Sequence, residues 1–137
     1  LNIVNNITSG LTFLLAGIGA VSLIVGGIGI MNIMLVSVSE RTEEIGLRKA
    51  IGAKQSDILI QFLFEALILS TIGGLIGTST GLSGVFLLNV ITPLPASVGI
   101  NTTLFTMIIS GSIGLVFGVL PAKRASKLDP IVALRSL

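Results

Sequence analysis

One carboxylate in this chain stands apart from every other charge. Glu65 lies within an apolar run, whereas all 8 basic residues and the remaining acids fall inside Glu40–Asp57 and Lys123–Arg135. Ionisable groups at membrane depth face protein or water and often mark ion or proton pathways, which is the sharpest chemistry this residue offers. A second reading sets Glu65 about two helical turns beyond Asp57, near the membrane interface. There it reaches water or hydrogen-bonds a neighbour, and Gln61 shares its helix face four residues earlier. Arg48, Lys123 and Arg124 are its candidate partners by depth. A relay through a whole bilayer needs more than one such group, which favours the second reading.

Composition removes most other chemistry. Cys and His are both absent, which excludes disulfides, a thiol nucleophile, the usual zinc sites and a Ser-His-Asp triad. A net charge of +2 with neither Trp nor Tyr leaves no basic, aromatic-interleaved surface for nucleic acid. No Gly-rich loop followed by Lys occurs, and Gly26-Gly27-Ile28-Gly29 sits in an apolar run where it cannot cradle phosphate. No cofactor, metal or catalytic residue is therefore expected in this chain.

The elements that hold these residues are membrane helices. The chain is 52% hydrophobic and 10% charged, with a mean hydropathy of +1.06, against roughly a quarter charged in soluble domains. Residues 1–39 carry no ionisable side chain, and Phe13 to Val38 exceeds the roughly 20 residues needed to cross about 30 Å of hydrocarbon. Further spans are predicted over 58–88 and 104–121, joined by a charge-free linker, 89–103, with Pro93, Pro95 and Gly99. The basic residues all lie in 40–57 and 122–137, which places both on the cytoplasmic side. Three crossings then put Leu1 outside, so the chain reads as a piece of a longer polypeptide with an earlier span and an extracytoplasmic region before it. Val4, Ile7 and Leu11 recur at helical spacing among polar neighbours, predicting one helix that begins outside the membrane, either as a packed stalk or as a solvated start.

Helices in lipid approach closely where side chains are small. Gly73, Gly77 and Gly81, beside Ser70 and Gly74, predict a helix against that face. Ser110, Gly114 and Gly118 form a weaker version, as do Ser22 and Gly26 beside Gly27 and Gly29.

Between the first two spans, the sequence predicts a short helix. Glu43 and Glu44 fall in its first turn and Arg48 and Lys49 near its end, matching the helix dipole, and Glu44 to Arg48 is a favourable i, i+4 pair. Gly52 suits the left-handed position that ends it, and Ser56 or Asp57 can cap the next span. Leu47, Ala50 and Ile51 make an apolar ridge, with Ile45 to one side. Such a helix lies flat under the membrane and presents charge and a small ridge to the cytoplasm. Taken alone, its cations are also what topology requires.

The run from Ser37 through Glu40-Arg41-Thr42-Glu43-Glu44-Ile45-Gly46-Leu47-Arg48-Lys49-Ala50-Ile51-Gly52-Ala53, followed by Asp57-Ile58-Leu59, Gln61-Phe62-Leu63, Glu65-Ala66, Gly73-Gly74 and Gly77, resembles the permease core of MacB-type, FtsX-like ABC transporters. The tail from Pro121 through Asp129-Pro130 to Arg135 resembles the C-terminal signature of the same family. The resemblance implies an all-α membrane protein: three transmembrane helices with a short cytoplasmic coupling helix, a fragment of a four-span permease. It implies a dimer with a second permease subunit, each resting on an ABC ATPase subunit through the coupling helix, and it leaves room for a periplasmic or extracellular adaptor. By position, Glu43, Glu44, Ile45, Gly46, Leu47, Arg48, Lys49, Ala50 and Ile51 form the ATPase contact, and Asp129 and Pro130 begin a short tail helix. ATP hydrolysis then belongs to a partner subunit or domain, and the chain itself is expected to be no enzyme. The implied setting is a bacterial or archaeal plasma membrane, and the implied role is export or extracytoplasmic movement of a substrate by mechanotransmission. Two other readings stand beside it: a non-transporting FtsX-like regulator of an outer enzyme, and an ion-coupled carrier that titrates Glu65.

Overall fold

The computed structural model describes residues 2–92, 96–129 and 131. They fold as α1 (Asn2–Glu40), α2 (Thr42–Ala50), α3 (Gln55–Ile91) and α4 (Ile100–Lys127). Among the described residues there is no strand. Three helices, α1, α3 and α4, are long and apolar enough to cross a membrane. With 39 and 37 residues, α1 and α3 reach roughly 55–60 Å at about 1.5 Å per residue, well beyond one hydrocarbon layer. The outer start and the first span predicted from sequence are thus one unbroken helix.

The junctions are set by local chemistry. Only Arg41 interrupts the helix between α1 and α2, and the Thr42 hydroxyl lies 3.0 Å from the Val38 carbonyl and 2.9 Å from that of Ser39, holding the bend. At the end of α2, Gly52 adopts φ +110°, a conformation that disfavours any residue with a Cβ. The Gly52 N–H donates to the Lys49 carbonyl at 3.1 Å and the Ala53 N–H to that of Arg48 at 3.0 Å, the paired bonds of a Schellman motif. Gly52 therefore stops α2 as the sequence predicts. The start of α3 differs from the expectation: Lys54 is the N-cap residue, and Asp57 acts from the third helical position, its Oδ2 accepting from the Lys54 N–H at 3.0 Å. A carboxylate there satisfies an orphan donor and favours the positive end of the helix.

The fourth helix extends past the predicted end of the third span. It continues through Pro121 to Lys127, so Lys123, Arg124 and Lys127 stand on a rigid helix rather than in a tail. Asp129 Oδ1 accepts from the Ile131 N–H at 2.9 Å, the bond an Asp cap would make; the rest of the expected tail helix lies outside the described residues. In the α3–α4 linker, the Asn89 side chain both donates to and accepts from the Ala96 backbone, each at 2.7 Å, closing the loop.

The buried core sits at the charged end. Met34 and Val38 of α1, Ile45 of α2, Ile58, Phe62 and Ala66 of α3, and Ala122 and Ala125 of α4 form one cluster to which every helix contributes. Away from it, all residues of α1 from Asn2 to Gly26 are exposed, the surface expected to meet lipid or another chain. Small residues let α3 and α4 cross closely. Gly118 lies against Ala66, Gly114 against Ser70, and Gly74 against Ser110, where an added Cβ on Gly74 would come within 2.6 Å of the Ser110 hydroxyl oxygen. The Ser110 hydroxyl donates across this crossing to the Ser70 carbonyl at 2.8 Å. Helix α1 joins them where Gly27 faces the Phe117 ring.

Candidate functional site

The short helix α2 is two-sided. Ile45 is 1% exposed and Gly46 is buried, whereas Glu43, Glu44, Leu47, Ala50 and Ile51 are exposed. At about 100° per residue, these exposed positions fall on one arc opposite Ile45. The ridge of Leu47, Ala50 and Ile51 expected from sequence is therefore open to a partner, with Leu47 55% and Ile51 80% exposed. Of the nine residues assigned to an ATPase contact, Ile45 and Gly46 instead face the chain's own core, since Ile45 packs in the cluster with Ile58, Phe62, Ala122 and Ala125.

Three cationic side chains, Arg41, Arg48 and Lys49, clamp this helix and its junction onto α3 and α4. Arg48 donates from Nη1 to Gln61 Oε1 at 2.9 Å, and from Nη2 to Glu44 in the predicted i, i+4 pair. Lys49 Nζ donates to the carbonyls of Ser126 at 2.5 Å and Leu128 at 2.6 Å. These are acceptors at the C-terminal end of α4, where the helix leaves carbonyls without partners and a cation is favoured. Arg41, at the α1–α2 bend, approaches both Glu65 carboxylate oxygens at 3.4 Å.

That last contact gives Glu65 a partner within the chain. Its side chain is 31% exposed and paired with Arg41, not with Arg48, Lys123 or Arg124. Gln61 and Glu65, one turn apart on α3, thus hold Arg48 and Arg41. Sequence reasoning missed Arg41 because it looked for partners by membrane depth, whereas the structure pairs Glu65 with the residue at the break between α1 and α2. It also missed Lys49 as a ligand of the α4 terminus, since the end of α4 was set too early.

The glycine face shows a different arrangement. An added Cβ on Gly73, Gly77 or Gly81 would meet nothing within 4 Å, so no helix of the described chain covers it. The α3–α4 contact uses the neighbouring row Ala66, Ser70 and Gly74 against Gly118, Gly114 and Ser110, one helical position away. Sequence inspection favoured the row with most glycine, whereas Ala66 is small enough to serve in the same way. Gly73 and Gly77 border a groove of about 520 Å³ between α1, α3 and α4. Thr78 also lines it, and its hydroxyl is buried with no hydrogen-bond partner among the described residues.

Comparison with known proteins places this arrangement in a family. The FtsX-like permease C-terminal family matches residues 16–130. The chain is 52% identical over 131 residues to a macrolide export ATP-binding/permease protein MacB of Bdellovibrio bacteriovorus, covering 96% of this chain and 20% of the relative. It is 47% identical over 132 residues to the uncharacterized ABC transporter permease YknZ of Bacillus subtilis, covering 96% of this chain and 33% of that protein. With YvrN of the same organism, another uncharacterized ABC transporter permease, identity is 51% over 132 residues, covering 96% of this chain and 32% of the relative. The chain spans between 20% and 33% of the length of these relatives. Its all-helical architecture, its three candidate spans and a family match across most of its length agree: the chain belongs to the FtsX-like permease C-terminal family.

Proposed function

We propose that this chain is the membrane core of an ABC transporter permease in a bacterial or archaeal plasma membrane, and that α2 receives mechanical work from a partner ATPase subunit or domain. The observation that carries this reading is the two-sidedness of α2. One face is fixed to α3 and α4 by Ile45, Arg48 and Lys49, and the other offers Glu43, Glu44, Leu47, Ala50 and Ile51 without covering. A helix that served only to join two spans would have no need of an anchor on both neighbours. Within the expected contact set, Leu47, Ala50, Ile51 and the two acids touch the ATPase, and Ile45, Gly46, Arg48 and Lys49 hold the helix so that a push reaches α3 and α4. A partner subunit or domain supplies hydrolysis, in keeping with the name ATP-binding/permease of the MacB relative, which joins the two functions, and the work is export or extracytoplasmic movement of a substrate.

A second permease subunit completes the assembly. Gly73, Gly77 and Gly81 are the face on which a helix from outside this chain packs, supported by their open surroundings among the described residues and by the Thr78 hydroxyl beside them, which has no partner among those residues. A periplasmic or extracellular adaptor would engage parts of the protein beyond these residues. Pairing of Glu65 with Arg41 gives the ion-coupled carrier reading no support, because that carboxylate already serves the junction of α1 and α2.

The test uses the full permease reconstituted with its ATPase. Leu47→Glu with Ile51→Glu should abolish permease-dependent ATP hydrolysis while membrane insertion and permease folding stay intact. Hydrolysis at the unmodified rate, with the ATPase still bound, would contradict the proposal.

A further inference from the structure

Three cations at the end of α4 take no part in the clamp. Lys123, Arg124 and Lys127 are exposed, and among the described residues the ion pairs are Arg41–Glu65 and Arg48–Glu44, neither of which involves them. At about 100° per residue, Leu120 and the three cations fall within roughly a 100° arc of the helix. That arc points away from Pro121, Ala122, Ala125 and Ser126, the buried face. A groove of about 460 Å³ runs along it, bordered by Leu120, the three cations, Leu128 and Asp129. The cations are not there to satisfy the α4 carbonyls, because Lys49 binds those from the other side.

Depth decides what the groove meets. One turn earlier on the same arc stands Leu120, 49% exposed, and two turns earlier Val116, 68% exposed, at the end of the apolar span. The cations therefore sit where hydrocarbon gives way to headgroups, with apolar surface directly above charge on one outward face. We propose that this face holds an anionic phospholipid, its phosphate between Lys123, Arg124 and Lys127 and its acyl chains along Val116 and Leu120. A soluble protein would match the charges but would have no use for the apolar surface of Val116 and Leu120 that continues the face into the span. Free phosphate would gain nothing from the apolar half of the groove. The inference does not depend on the ATPase reading.

The experiment places the full-length permease, with its ATPase, in nanodiscs of mixed phosphatidylcholine and phosphatidylglycerol, and counts retained lipids by native mass spectrometry. The unmodified protein should retain phosphatidylglycerol over phosphatidylcholine, and Lys123→Gln/Arg124→Gln/Lys127→Gln should reduce that preference about tenfold, given the known pull of juxtamembrane cations on anionic lipid. Lys123→Arg/Lys127→Arg and Lys54→Gln should keep it, and excess inorganic phosphate should not displace the lipid. Equal retention in the triple variant overturns the proposal, as does equal loss in Lys54→Gln, which would mean diffuse charge rather than a site. Displacement by inorganic phosphate, or loss of the ATPase from the triple variant with lipid retention unchanged, overturns it too. On the unmodified protein, spin-labelled phosphatidylglycerol should lose its immobilised fraction as NaCl rises; a salt-insensitive fraction contradicts the site without any substitution.

Discussion

The two ends of this molecule are built by opposite rules. At the charged end, four helices share a core of eight buried apolar residues, and side chains cross between all of them. Toward the other end, α1 stands with every residue from Asn2 to Gly26 exposed, and Gly73, Gly77, Gly81 and Gly84 of α3 face open space. Packing density follows the place where force is proposed to enter. A push on a loosely held α2 would be absorbed by local motion, whereas one on a helix anchored by Ile45, Arg48 and Lys49 must move α3 and α4 with it.

Substitutions that respect or violate this contrast should rank accordingly. The largest loss is expected at Ile45: Ile45→Ala leaves a cavity in the shared core and should cost about 2–5 kcal/mol, read as a lowered Tm of the purified permease, whereas Ile7→Ala on the exposed part of α1 should leave Tm nearly unchanged. Next comes overpacking. Gly118→Leu forces a side chain into Ala66 and should cost about 1–3 kcal/mol or more, while Gly17→Leu, with nothing near its Cβ position, should be tolerated in the same thermal assay.

Gly77→Leu sharpens the comparison differently, because it separates packing inside the chain from packing between chains. It should leave the Tm of the isolated permease close to that of the parent and lower the fraction of dimer seen by size-exclusion chromatography with light scattering. An unchanged dimer fraction would show that this face meets lipid only.

Smaller again is Lys49→Met, which removes a charged donor from two α4 carbonyls. Hydrogen bonds to charged groups are worth about 1.5–3 kcal/mol where buried, and partial exposure here places the expected loss toward the lower part of that range. Hydrogen exchange should rise at the end of α4 and in α2 together. The smallest effect belongs to Glu65→Gln: its pair with Arg41 is partly exposed on both sides, so stability should change by about 0–1 kcal/mol, measured by the same thermal assay, and transport should persist if Glu65 is structural rather than a proton carrier.

Much of the helical layout was readable from sequence because it rests on local causes. Charge-free runs longer than a bilayer mark spans, the acids and bases of α2 match its dipole, and Gly52 ends it with a positive φ. What escaped notice depended on which helix faces meet. The contact row on α3 could not be told from its glycine-rich neighbour, since inside an apolar span nearly every position is compatible with burial and only a shift of one residue separates Gly74 from Gly73. The partner of Glu65 was missed for the same reason: three cations lay at a plausible depth, and only the bend at Arg41 selects a fourth. The inward aim of Ile45 was half visible, as the one apolar residue of α2 lying off the ridge. Charge and periodicity report which residues avoid water, and leave open which neighbour each one touches.

The outward face of α2 as the docking surface for an ATPase is the central claim, and site-specific photo-crosslinking tests it most directly. A benzophenone side chain placed at Leu47 or Ile51 of the full permease, in membranes containing its ATPase, should give a covalent adduct with that subunit, while one at Phe13 should give none. Adducts from Leu47 and Ile51 with lipid alone, under conditions where the ATPase is bound, would contradict the account.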